Sequence, residues 1–101
     1  MQLWDTKMGI LFEWDEEKRQ SNIEKHGFDF EIAKYVLSDP NVIRIKVDNY
    51  EKYGETRSLA FGKVDNYRLC LCYTMRGKIY RVISLHIANK KEWEKHHGKN
   101  S

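Results

Sequence analysis

Residues 57–87 read RSLAFGKVDNYRLCLCYTMRGKIYRVISLHI, and this stretch decides the fold class. Arg57-Ser58-Leu59-Ala60-Phe61 is strand-like, Asp65-Asn66 marks a tight turn into Tyr67 to Met75, and Arg76-Gly77 marks another into Lys78 to Ile87. Asp, Asn and Gly tolerate the backbone conformations that short hairpin turns require, so three strands are predicted to form an antiparallel meander. In the last of them Ile79, Arg81, Ile83, Leu85 and Ile87 alternate with Tyr80, Val82, Ser84 and His86, and the first set reads as mostly core. Arg81 interrupts that set. It must reach an edge or meet a countercharge, because an unpaired buried charge is costly. A salt bridge to an acid of the helical layer and a phosphate-binding role both satisfy this.

Working outward, Ile10 to Glu13 reads as a short strand and Asp15 as a helix cap followed by acids in the first turn. Gly27 closes that helix, which is largely polar with Ile23 as its main apolar contact. A second helix opens at Asp29, carries Phe30, Ile32, Ala33, Val36 and Leu37 on one stripe, and stops before Pro40. Val42 to Val47 is a β-branched strand, and Asp48 to Gly54 a polar loop bearing tyrosines. Downstream, Asn89 and Glu92 fit a capping box opening a short helix through Trp93 that frays at His96 and His97. The expected fold is α+β: a two-layer sandwich with N-terminal helices packed on an antiparallel sheet, a short C-terminal helix, and the other sheet face partly open. One domain spans 1–101, its core about 10–95, with 1–9 and 96–101 as flexible ends. Met8 offers an alternative start.

With 101 residues, 41% of them apolar, the chain supports a single modest core. It has no apolar run near the ~20 residues a membrane span needs, and no signal-peptide pattern, so a cytoplasmic location is expected. Cys70 and Cys72 would share one face of a strand, which argues against a mutual disulfide. A lone C-x-C also falls short of a zinc motif, so neither metal nor cofactor is expected. The net charge of +3 conceals an asymmetry: residues 1–55 carry 8 Lys/Arg against 12 Asp/Glu, residues 56–101 carry 10 against 3. A basic half-chain attracts phosphate-rich ligands.

Cleaving RNA without a metal requires a base for the 2′-hydroxyl proton, an acid for the leaving oxygen and cations for the phosphorane. The second half offers His86 as acid or base, Arg57, Arg76 and Arg81 as phosphate clamps, Tyr73 as stacker or proton donor, and Lys78 as a further RNA contact. Ser84 shares the face of His86 in the alternation. His26, His96 and His97 read as surface or capping residues. The same inventory describes nonenzymatic modules that dock RNA or ribosomes.

Phe12-Glu13-Trp14-Asp15, Lys18, Asn22, Lys25-His26-Gly27-Phe28, Phe30, Ala33 and Asp39-Pro40 resemble the start of BrnT toxins. Glu55-x-Arg57, Gly62, Tyr73, Arg76-Gly77, Arg81-x-Ile83-Ser84, Ala88 and Glu92 match the family's second half, and the resemblance spans roughly residues 10 to 95. It implies a RelE-like fold and a ribonuclease toxin of a type II toxin-antitoxin system that inhibits translation. It further implies a BrnA-like antitoxin whose DNA-binding part lets the complex repress its own operon, a heterotetramer being the expected assembly. DNA would be met only through the antitoxin. Lys90 and Lys91 keep the basic character of the family's last helix, while Glu92 has both a family-pattern role and a complete structural one as a capping residue; Glu55 and Ser84 are likewise catalytic or structural. Where this chain has His86 the family usually has arginine, and the residue before it, here Leu85, is usually small. Losing that permanent charge leaves room for a remnant that acts only in an autorepressor complex.

Overall fold

Two left-handed residues, Asp65 at φ 53° and Gly77 at φ 60°, turn the chain at the ends of the meander, as hairpin geometry requires. The computed structural model describes residues 2–5, 10–47 and 54–99; most of the loop expected at 48–54 lies outside them. The elements are β1 (Gln2–Asp5), β2 (Leu11–Trp14), α1 (Glu16–His26), a 3-10 turn (Phe30–Ile32), α2 (Ala33–Leu37), β3 (Ile43–Val47), β4 (Arg57–Val64), β5 (Tyr67–Arg76), β6 (Ile79–Ile87) and α3 (Lys90–His97). The expected α+β class and the β4–β5–β6 meander are found. Among the described residues no helix is long and apolar enough to cross a membrane.

Three features depart from the expectations. The sheet, ordered β1-β2-β6-β5-β4-β3, is mixed rather than antiparallel, because β2 lies parallel to β6 with Phe12 beside Tyr80 and Glu13 beside Arg81. Residues 2–5, placed outside the core by the sequence reading, pair antiparallel with β2. The single helix expected from Asp29 is a 3-10 turn followed by a five-residue α2. Asp29 caps that turn through Glu31 N–H at 3.0 Å while holding Arg19 in a two-bond fork, Nε at 2.9 Å and Nη2 at 2.7 Å.

The core lies between the sheet and the helices before it. α1 packs on β6 and α2 on β4, burying Phe12, Trp14, Phe30, Ala33, Val36, Leu37, Ala60, Leu69, Leu71, Tyr73, Val82 and Leu85. Gly62 admits α2 at close range: a Cβ there would stand 2.6 Å from the Val36 carbonyl oxygen. The caps follow the sequence. Asp15 accepts from the N–H groups of Glu17 and Lys18, Gly27 ends α1 at φ 79°, and Asn89 accepts from Lys91 and Glu92 N–H.

Asn22, one of the residues of the family resemblance, is 6% exposed and joins α1 to the edge of β6. Its Nδ2 donates to the carbonyls of Phe28 at 2.9 Å and Leu85 at 2.8 Å, and its Oδ1 accepts from Leu85 N–H at 3.1 Å. One side-chain amide thus serves as the next strand for the part of β6 that β2 is too short to cover.

Candidate nucleic-acid interface

A β-bulge assembles the site. Cys72 pairs with Ser84 but Tyr73 pairs with Val82, so Ile83 is an extra residue in β6. Strict alternation would put Arg81 with Ile83 and Leu85. The bulge instead breaks the period, and Arg81 and Ser84 come to lie on the same face as their partners Thr74 and Cys72. This is the face away from α1 and α2.

Among the described residues, α3 covers one end of that face, where Trp93 is buried with Phe61, Cys70 and Ala88. Beyond it lie the row Leu59–Cys72–Ser84 and then Thr74–Arg81 with Glu13 alongside. Arg57 precedes Ser58, the partner of Tyr73, and so falls beside Thr74. Thr74 is 4% exposed and donates from Oγ1 to the Thr56 carbonyl at 2.8 Å, tying β5 to the start of β4.

Arg57, Arg76 and Arg81 therefore share one face, with two carboxylates among them. Glu13 Oε1 lies 3.6 Å from Arg81 Nη1 and 3.9 Å from Arg76 Nε, and Glu55 Oε1 lies 3.8 Å from Arg57 Nε. These are loose ion pairs, longer than charge-assisted hydrogen bonds of about 2.7–2.9 Å. The Arg76 side chain is 52% exposed, those of Arg81 and Glu13 only 13%. The acid facing Arg81 thus comes from β2, not from the helical layer as its salt-bridge reading expected. Exposed Lys78 follows in the turn after Arg76.

Cys70 and Cys72 share this face and are both free. Burial pushes the Cys70 thiol up to about 12. It also raises Cys72, against the opposing pull of the Arg57 charge and a hydrogen bond with Ser84.

Other expected residues stand elsewhere. Tyr73 is 4% exposed in the core under the helices, its ring 5.1 Å from that of Tyr80, so it has no open face for a base to stack on. His86 pairs with Cys70, five residues and roughly 16 Å of extended strand beyond Arg81. Its ring lies 5.3 Å from that of His26, outside the arginine cluster. Lys90, Lys91 and Glu92 are exposed on the first turn of α3. Of the other tail histidines, His97 donates from Nε2 to the Phe61 carbonyl at 3.0 Å and stacks on Trp93.

The sequence reading missed Glu13 and Thr74 as site residues. Glu13 had a signal, since it alternates with buried Phe12 and Trp14, but its partner strand lies far along the chain. On the opposite face Arg44 donates to the Tyr80 hydroxyl at 2.7 Å and lies over its ring, an arrangement without a local signature.

Among the described residues, then, the protein is a small α+β fold with α1 and α2 on one sheet face and three arginines on the other. The family model for the ribonuclease toxin BrnT of type II toxin-antitoxin systems matches residues 14–92, and the chain belongs to that family. Membership implies an antitoxin partner. No curated protein matches the chain significantly.

Proposed function

We propose that the protein is an endoribonuclease toxin with a RelE-like fold that inhibits translation by cutting RNA on the arginine-bearing sheet face. The observation that carries this reading is the convergence of Arg57, Arg76 and Arg81 on one face of the sheet, with Glu13 and Glu55 at 3.6–3.9 Å from their guanidinium nitrogens. In it the guanidinium groups hold the scissile phosphate and its developing charge, and Glu55 beside Arg57 takes the 2′-hydroxyl proton as that oxygen bonds to phosphorus. The P–O5′ bond breaks to leave a 2′,3′-cyclic phosphate, solvent water gives a proton to the departing 5′-oxygen, and no metal enters the reaction. Lys78, Lys90 and Lys91 extend the RNA path. A BrnA-like antitoxin blocks this face, assembles with the toxin as a heterotetramer and brings the complex to DNA.

Incubating purified protein with labelled RNA, and inducing it in growing cells, tests the reading. Wild type is expected to cut RNA and arrest growth. Folded Arg57→Ala and Arg81→Ala are each expected to lose about 10²–10³ in rate, the cost of removing a transition-state charge contact. The displacement of His86 from the cluster favours a second reading, a nonenzymatic RNA-binding module or a remnant serving only the repressor complex. Binding without cleavage, or antitoxin capture without either, would establish it and refute the first.

A further inference from the structure

We propose that His26 and His86 form a two-nitrogen chelate for a divalent transition-metal ion at the junction of α1 and β6. Two imidazoles that bind one tetrahedral ion through nitrogens about 2.0–2.1 Å away hold their ring centres about 5.2 Å apart, by geometry. The centres of His26 and His86 are 5.3 Å apart, with the ring planes inclined at 44°. The spacing admits an ion between the two rings; it is also that of tilted ring contacts such as Tyr73–Tyr80 at 5.1 Å, and what singles out a chelate is the chemistry of the two imidazoles.

The donor atoms are also prepared. His86 Nδ1 lies 2.9 Å from the Ile87 carbonyl oxygen, which only accepts, so Nδ1 carries the proton and Nε2 keeps its lone pair. Metal-binding histidines are commonly oriented in this way, through the ring nitrogen that does not touch the ion. His26 has no hydrogen bond among the described residues, leaving a ring nitrogen open. The two side chains stand on fixed supports. α1 ends at His26 in the Gly27 cap, and the Asn22 amide clamps the same helix to Leu85, the residue before His86.

No group of three or more His, Cys, Asp or Glu able to hold a metal occurs among the described residues, so water completes the coordination shell. His26 is exposed and His86 half-buried, which gives that water access. Imidazole nitrogens select Zn²⁺, Ni²⁺ or Cu²⁺ over Mg²⁺ and Ca²⁺. The site lies apart from the arginine cluster and does not rest on the ribonuclease reading.

The test uses the full, untagged chain, stripped with a chelator, titrated with Zn²⁺ and followed by imidazole ¹H–¹⁵N NMR at neutral pH. The His26 and His86 signals are expected to move together in one saturable event, with His96 and His97 unmoved. Mg²⁺ should do nothing, and adding the chelator back should reverse the change. His26→Ala and His86→Ala are each expected to weaken Zn²⁺ binding about tenfold or more, whereas His96→Ala keeps it. Shifts confined to His96 or His97, affinity unchanged in His26→Ala, or no shift at all in folded wild type would overturn the proposal. Because the NMR readout is taken on wild type, it stands even where a variant folds poorly.

Discussion

Replacing Asn22 by alanine removes the amide that occupies the edge of β6 beside α1. Leu85 directs both its N–H and its C=O to this one side chain, away from β5, and the pair is buried. Leaving a buried donor or acceptor unmade costs about 1–3 kcal/mol, so the two Leu85 groups together put the loss at about 2–5 kcal/mol. The Phe28 carbonyl, also bonded to Asn22, adds little because it is only partly buried. Against a total of about 5–15 kcal/mol for a domain of this size, the melting temperature should fall by about 10–20 °C. Urea unfolding followed by far-ultraviolet circular dichroism measures this, with the midpoint moving and the slope constant. Asn22→Asp is the sharper variant: it keeps an acceptor for Leu85 N–H but turns two donors into an anion facing two carbonyl oxygens, and should lose at least as much. A shift below about 1 kcal/mol in both variants would refute the edge-strand role assigned to Asn22.

Three further outcomes follow from local geometry. Gly62→Ala forces a methyl against the Val36 carbonyl, 2.6 Å away, and should cost about 1–3 kcal/mol as α2 is pushed off β4; an unchanged urea midpoint would contradict that packing. With Cys70 raised to about 12 by burial, its thiolate at about pH 8 is roughly one part in 10⁴. Alkylation in the folded state should therefore be slower than for a free thiol by on the order of 10³, and equal rates would contradict its burial. The Asp29 carboxyl is held below the ordinary carboxylate range, chiefly by its hydrogen bonds with Arg19. Its stabilising effect is therefore complete above the unfolded pKa of about 3.9 and lost as pH falls through the folded value. Asp29→Asn should cost about 1 kcal/mol near neutrality, with the gap to wild type closing only in acid; a gap independent of pH would be inconsistent with the ion pair.

What was legible in the sequence is what depends on neighbours in the chain. Asp15, Gly27 and Asn89 marked helix ends because a cap bonds to residues two or three positions away, and Asp65 and Gly77 marked turns because the conformation they supply is local. The site escaped for the opposite reason. The extra Ile83 in β6 has no sequence sign, yet it decides which face receives Arg81, and alternation read without it groups Arg81 with the core. The parallel contact of β2 with β6 joins segments nearly seventy residues apart, as the Glu13–Arg81 register shows, so no pattern near Glu13 reveals that it faces two arginines. The ring chemistry of Tyr73 suggests stacking or proton donation, but cross-strand pairing turns the side chain into the core, where its aromatic area is worth more than its hydroxyl. His86 shares a face with Ser84 but, across the bulge, not with Val82, and its distance from the arginines depends on how many residues β6 adds beyond the bulge.

Glu13 links the electrostatics of this face to its fold, and its neutralisation gives the most discriminating experiment. One carboxylate faces Arg76 and Arg81 at 3.9 and 3.6 Å, so an RNA phosphate entering here must compete with Glu13 for both guanidinium groups. Glu13→Gln removes the competitor while keeping the shape. Stability should fall modestly, because 13%-exposed Arg81 loses a countercharge in a partly desolvated place. Affinity for single-stranded RNA should rise, and the slope of log affinity against log salt should steepen by about 0.7 for each additional phosphate neutralised. Opposite movement of stability and affinity is the expected signature of a face whose cations are held in reserve for a phosphate backbone. If Glu13→Gln instead weakened RNA binding along with stability, the carboxylate would be positioning the arginines rather than occupying them, and the clamp would require Glu13 in its ionised form.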